Sequence, residues 1–401
     1  MTAAAASLAD LALSLRADTP GVETVTHLNA AGAALPARRV TETVIAHLRE
    51  EARIGPHWAA EAARPALDAT RHAAARLFGV EARQVAFAET ATRLWAQAMR
   101  SLAMPRGARL LVSRSEWAGN ILNLLQRARD DGLSVEVIPV GADGLIDVAA
   151  LGAMIDERVA LIAVAGVATA FGLRQPVAAI GALPRPDHTL FFLDAAQMMG
   201  RFPVAFDAAR ADVMVTPARK WLRGPRGQAI AVFSERALQA IPEPAGLDQR
   251  GAPWTGPRAY APRDGADRFE SYEFSVAGRL GLGAAITAAL AADIAGIGAI
   301  IRDRLGLAHA RLSAIEGLTV HELAAGDPAF LTFSPPARIA VGLVDTLREA
   351  GIAIATVGLD YARWELRARG LSEVLRIAPH AYASADDIER FAAVVAAAAG
   401  R

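Results

Sequence analysis

"ADVMVTPARKWLRGPRG", residues 211–227, starts as a short apolar run, breaks at Pro217 and continues into a loop rich in arginine and glycine. Lys220 in that loop is the only lysine in 401 residues; every other one of the 42 basic side chains is arginine. For solvation and surface ion pairs arginine serves as well as lysine. It cannot, however, lose its proton and form an imine with a carbonyl. A lone lysine just past a strand end is therefore either a chance survivor of a coding bias or the one amine whose chemistry arginine could not replace.

Outward from this loop the chain alternates. "QVAFAE" (84–89), "RLLVS" (109–113), "VEVIPV" (135–140), "VALIAVAG" (159–166), "TLFFLDAAQ" (189–197), "DVMVTP" (212–217) and "GQAIAVFS" (227–234) are short apolar runs separated mostly by helix-length segments. Seven such runs predict an α/β fold built on a mostly parallel sheet covered on both faces. Helices are predicted over 37–52, 64–78, 147–155 and about 176–183. Residues 241–268 hold several prolines and glycines without periodicity and read as a long surface loop. A helix over about 275–303 then leads to a second region, where "LTVHEL", "FLTFS" and "VLRIAPH" supply strands and helices lie near 340–350 and 384–399. The expected organisation is an N-terminal segment (1–29) packing with the small domain, a large domain (30–270), and a linking helix with a smaller α+β C-terminal domain (271–401).

Composition excludes several function classes. Net charge is zero and no polybasic run occurs, which speaks against nucleic-acid or acidic-lipid partners. There is no cysteine, so disulfides, cysteine-held metals and a cysteine nucleophile are excluded, and no metal is expected; the same fact fits a cytoplasmic protein. The first 21 residues lack a basic start and carry Asp10, which makes a poor signal peptide and a better short amphipathic helix. "GLGAAITAALAADIAGIGAI" (281–300) has nearly the length of a membrane span, but Asp293 and its many small residues favour a buried helix of a soluble domain.

In open α/β sheets ligands bind outside the carboxyl ends of the strands. There the pattern places Asp194 and Gln197 after one strand and Lys220 after the next. An imine-forming lysine with an aspartate that holds a protonated ring nitrogen is the protein's half of pyridoxal phosphate chemistry. Taken alone, Asp194 serves equally as a helix cap.

At this point the chain resembles the class V aminotransferases, which are fold-type I pyridoxal phosphate-dependent transferases. The resemblance runs through "LNAAGAALP" (28–36), "AETATRLW" (88–95), "SEWAGN" (115–120), "FGLRQPV" (171–177), "FLDAAQMMG" (192–200), residues 211–227, "RFE" (268–270) and "LRIAPHAY" (375–382). Within that family, "AAEAARPALDATR" (59–71) and "ARKWLRGPRG" (218–227) look most like the hercynylcysteine sulfoxide lyases of ergothioneine biosynthesis.

The resemblance implies roles. Lys220 matches the Schiff-base lysine, Asp194 the ring-nitrogen partner, and Gln197 the residue on the cofactor's phenolic oxygen. Ala91 and Thr92 fall where the phosphate is cradled; a helix N-terminus suits an anion on physical grounds too, and Thr90 or Thr92 is otherwise an ordinary cap. Trp117 takes the position of a ring stacked on the pyridine face, its alternative being a core tryptophan. Arg376 matches the arginine that pairs with the substrate α-carboxylate, with Asn29, Ala30 and Ala31 lining the same pocket. Ser271 and Tyr272 fall where a partner subunit reaches the phosphate, which implies a homodimer with a shared active site.

Some positions depart from the family pattern. Arg219 stands where many members have histidine, and would still suit a phosphate. Pro217 replaces a serine that often contacts it, with Thr216 as the substitute. Thr169 takes the place of an asparagine near the ring. His57 and Trp58 lie where relatives contact the substrate side chain; His57 either protonates a leaving sulfur or caps the next helix.

The resemblance leaves the reaction open among elimination, transamination and epimerisation. Desulfurases of this family pass sulfur to a cysteine, which this chain lacks. β-Elimination needs no such nucleophile, so the expectation is a carbon–sulfur β-lyase acting on an S-substituted cysteine or its sulfoxide, releasing pyruvate and ammonia. The alternatives are a class V aminotransferase or epimerase, and a catalytically idle member serving as a binding module.

Overall fold

The computed structural model describes residues 3–322 and 327–400. Met1, Thr2, Leu323 and Arg401, which belong to the predicted segments, lie outside them. The apolar runs of the first half form one seven-stranded sheet: β1 (Val85–Ala88), β2 (Arg109–Ser113), β3 (Ser134–Ile138), β4 (Val159–Ala165), β5 (Leu190–Asp194), β6 (Val213–Pro217) and β7 (Ala229–Phe233). Their spatial order is β1-β7-β6-β5-β4-β2-β3. Pairing is parallel from β6 through β3, while β7 runs antiparallel to both β1 and β6. Every residue of β4 and β5 is buried, as expected of strands covered on both faces. Two hydrophobic clusters occupy the two sides, one around Phe191, Leu193 and Met214 and the other around Trp95, Phe192 and Val213. Because β1 and β6 point the same way across antiparallel β7, the carboxyl ends of β1, β2, β4, β5 and β6 share one edge. This is what assembles the site.

Helices α1 (Ala3–Ala17), α2 (Arg38–Ile54), α3 (Pro56–Ala62) and α4 (Arg64–Phe78) precede the sheet, and α4 stops at Gly79 in the left-handed conformation (φ 72°). α5 (Ala91–Ser101) follows β1 and α6 (Ala118–Asp131) follows β2. The surface loop predicted over 241–268 holds a short hairpin, Trp254–Gly256 with Ala259–Tyr260. A single-turn helix (Ala266–Phe269) ends it and stacks Phe269 on Phe233, 4.2 Å between ring centres.

The single helix predicted over 275–303 is two. α7 (Val276–Ala291) and α8 (Ile294–Ser313) meet at an angle of 82°. Asp293 makes the break: its backbone is left-handed (φ 56°) and its side chain accepts from the Ala295 N–H at 3.1 Å, capping α8. Among the described residues no single helix is long and apolar enough to cross a membrane. The glycines of α7 have a packing cause, since a Cβ on Gly283 would lie 2.2 Å from Thr70 Oγ1 on α4.

The C-terminal sheet has four antiparallel strands in the order β8-β9-β11-β10, namely β8 (Thr319–Val320), β9 (Leu331–Ser334), β10 (Ala355–Gly358) and β11 (Glu373–Ile377). Sequence patterning missed β10, whose alanine and glycine content hides the alternation. After β10 come α9 (Leu359–Ala368) and the closing helix α10 (Ala385–Ala399). Thr26–His27 pairs in parallel with Ile352–Ala353, and Arg16 bonds Asp387 at 2.7 Å, so the N-terminal segment lies against this region.

Candidate active site

A cavity of about 890 Å³ opens between the carboxyl edge of the large sheet and β10–α9 of the C-terminal region. Asp194, the last residue of β5, is buried in its floor. Its Oδ1 accepts from the Ala196 N–H (2.9 Å) and its Oδ2 from Asn120 Nδ2 (3.0 Å). Burial raises its carboxyl above the usual range, opposed by Lys220 and by these two donors. Lys220 lines the cavity from the loop after β6. Burial brings its ammonium down to about 7, against the pull of Asp194, with Arg219 and Arg376 pushing in the same direction as burial.

The lysine loop is pinned from several sides. The Ala34 N–H donates to the Arg219 carbonyl at 2.9 Å, and the Gly224 N–H to Ala218 at 2.8 Å. Trp221 Nε1 donates to Gln197 Oε1 at 2.9 Å, while Gln197 Nε2 donates to the Ala31 carbonyl at 3.0 Å. Gln197 thus holds the loop in place and retains one amide hydrogen for a ligand. Gly200, with φ 87°, sits so close to Trp221 that a Cβ would lie 2.6 Å from its carbonyl oxygen.

At the other end, Thr90 caps α5 through its bond from the Arg93 N–H (3.1 Å), which leaves the Ala91 and Thr92 N–H groups at the cavity wall without helical acceptors. Arg219 lines the same cavity, and burial and Arg226 lower its pKa. Trp117 forms one wall, stacked on Tyr361 of α9 with ring centres 5.9 Å apart and planes 27° apart. Buried Arg376 on β11 reaches the Thr169 carbonyl at 3.5 Å, and its Nε has no partner. Asn29 Oδ1, also buried and lining the cavity, is unpartnered too.

Of the residues singled out from the sequence, Asn29, Ala31, Ala91, Thr92, Trp117 and Thr169 line this one space. So do Asp194, Gln197, Arg219, Lys220 and Arg376. Others do not. Thr216 is fully buried within β6, and it is Pro217 at the strand end that faces the cavity. Ala30 packs its methyl in the core while its N–H bonds Ala378 at 2.8 Å. His57 and Trp58 lie exposed on α3, away from the cavity of their own chain. Ser271 and Tyr272 are also outside it; Ser271 Oγ accepts from Arg93 at 2.5 Å, and Tyr272 is exposed. Sequence reasoning missed His27, Arg226 and Tyr361 on the cavity wall and Asn120 beneath it. Asn120 sat inside a motif already singled out, whereas nothing in the sequence marks Tyr361.

The profile of the aminotransferase class-V family matches residues 25–391. This chain belongs to that family. The class V enzyme is 30% identical over 98% of its length to a probable hercynylcysteine sulfoxide lyase of Mycobacterium tuberculosis (strain CDC 1551 / Oshkosh), covering 94% of that protein. It is 29% identical to a cysteine desulfurase of Dickeya dadantii (strain 3937), over 72% of this chain and 69% of the other. In structure it resembles the cysteine desulfurase CsdA of Escherichia coli, with a TM-score of 0.88 at 22% identity over 96% of this chain and 98% of that one. The fold is that of the fold-type I enzymes.

The cofactor is pyridoxal phosphate, and the class V enzyme depends on it. The residues present fit this group: an amine opposite a buried carboxylate, a capped helix N-terminus beside an arginine, an aromatic wall, and two unpartnered buried polar atoms. Among the described residues, no group of three His, Asp or Glu side chains is placed to hold a metal.

Proposed function

We propose that this enzyme is a carbon–sulfur β-lyase acting on an S-substituted cysteine or cysteine sulfoxide, with pyruvate and ammonia as products. The observation that carries it is the pairing of Lys220 and Asp194 across one cavity in a chain with no cysteine to accept sulfur. The relatives reported above support the same chemistry, as they are named for carbon–sulfur cleavage.

Asp194 would hold the cofactor's protonated ring nitrogen, and Trp117, a wall of the same cavity, would pack against the ring. The Ala91 and Thr92 N–H groups with Arg219 would hold the phosphate. Bound there, pyridoxal phosphate supplies the sink for the electron pair left at the substrate Cα. Arg376, with Asn29 beside it, clamps the α-carboxylate and so orients the Cα–H bond. Lys220, brought down to about 7 by burial, is in substantial part a free amine at neutral pH and takes the Cα proton. The Cβ–S bond then breaks, its electron pair leaving on sulfur while the pair at Cα forms the Cα=Cβ bond, and water hydrolyses the released aminoacrylate to pyruvate and ammonia. His27, held by Tyr382 Oη at 2.9 Å and lowered to about 4 by burial, stays neutral beside the carboxylate pocket.

The protein works as a cytoplasmic homodimer in which Ser271 and Tyr272, outside the cavity of their own chain, reach the phosphate end of the partner's. The deciding experiment incubates purified holoenzyme with S-substituted cysteines and their sulfoxides and measures pyruvate and ammonia. Stoichiometric release supports the lyase. Accumulation of the amine form of the cofactor without pyruvate points to a transaminase and removes the proposal.

A further inference from the structure

Glu116 and Asn120 take no part in the roles above, yet they form a buried link to Asp194. Glu116 follows β2, is 1% exposed, and accepts at Oε1 from the Trp117 N–H (2.9 Å) and from Asn120 Nδ2 (3.0 Å). Its Oε2 is buried without a partner. The same Asn120 nitrogen donates to Asp194 Oδ2 at 3.0 Å. Two buried carboxyls thus share one amide nitrogen, which puts their bonded oxygens within about 6 Å of each other. Among the described residues no cation pairs with Glu116. Arg114, its near neighbour in the chain, is turned to Glu365 at 3.1 Å, and Lys220 acts on Asp194. The one charged group acting on Glu116 is Asp194 itself.

We infer that Glu116 and Asn120 are a positioning pair for Asp194: Glu116 is kept as a neutral acid so that Asp194 alone carries the negative charge at the floor of the cavity, and Asn120 ties the two together. Two like charges on one buried amide would force one of them to take a proton. If Asp194 took it, the hold on a cationic ring nitrogen would be lost; with the proton on Glu116, that hold is preserved. Burial raises both carboxyls, but Asp194 is lowered again by Lys220 and by the Ala196 N–H, whereas Glu116 is raised further by Asp194, up to about 8. Glu116 also fixes the Trp117 backbone, so the same residue sets both the charge beneath the ring and the wall beside it. The inference rests on Asp194 facing the cofactor's ring nitrogen.

The test uses holoenzyme and two readouts. Infrared difference spectra between wild type and the isosteric Glu116→Gln variant should show, at pH 6.5, the C=O stretch of one protonated carboxylic acid that disappears as pH rises past about 8. The visible band of the bound cofactor should show a step in the same pH range, absent in Glu116→Gln. Asn120→Ala removes a donor that favours the ionised acid, so it should move the step to higher pH. No carboxylic acid signal assignable to Glu116 at pH 6.5, or a visible-band step unchanged in both variants, overturns the inference. Should the protein show no visible cofactor band, the cofactor reading fails, while the infrared difference still reports on Glu116 alone.

Discussion

The indole N–H of Trp221 donates to the side-chain oxygen of Gln197 at 2.9 Å, so the residue after the lysine is bonded to the loop that follows Asp194. The bond is buried and joins the ends of two adjacent strands, β5 and β6. Trp221→Phe removes the donor, keeps most of the ring volume and leaves Gln197 Oε1 without a partner. Cofactor should dissociate several-fold faster, with a stability loss of about 1–3 kcal/mol, read by gel-filtration retention of the visible chromophore and by denaturant melts.

Lys220→Ala removes the group proposed to take the Cα proton. Pyruvate release should fall by about 10³-fold or more without loss of fold, checked by steady-state assay beside circular dichroism. Activity within tenfold of wild type would show that another base does the work.

Arg376→Lys keeps the charge but not the planar fork. The KM for an amino-acid substrate should rise by about 10- to 100-fold, with a smaller change in kcat. An equal fall in kcat at constant KM would place Arg376 in the transition state rather than in binding.

Acid sensitivity should trace in part to His380. Its ring is buried, stacks on Tyr382 with centres 5.0 Å apart and bonds the Trp221 carbonyl at 3.1 Å; burial lowers its pKa to about 3 from 6.5. Between those two values the unfolded chain binds the proton and the folded one does not. Stability therefore rises with pH across that window and is lost as pH falls from about 6.5 toward 3, by several kcal/mol at the limit. His380→Gln should flatten that part of the pH profile of urea melts.

Gly200→Ala should cost about 2 kcal/mol or more and lower Tm by several degrees. The new methyl meets the Trp221 carbonyl, and φ of 87° disfavours any side chain.

The sheet was legible because its strands are buried on both faces, and a run such as "VALIAVA" has few other uses. The lysine, the aspartate and the helix N-terminus were legible because each follows such a run. Less visible was whatever depends on the C-terminal region. β10 is built of small residues, and Tyr361 enters the cavity only because α9 is folded back over the large sheet. The break at Asp293 was hidden in an apolar stretch, where a positive φ on a non-glycine residue leaves little trace in the sequence. Thr216 and Ala30 lie outside the cavity lining for the opposite reason: proximity in sequence to a site says nothing of which way a side chain turns.

That the only lysine lies in the cavity also makes the molecule a single-channel reporter. Apart from the terminal amine, an amine-directed reagent has one side chain to find, and with a pKa of about 7 that side chain is about half free base at neutral pH. Labelling of the apoprotein therefore reads accessibility of the site directly, and whatever enters the cavity can be timed by its protection of one residue.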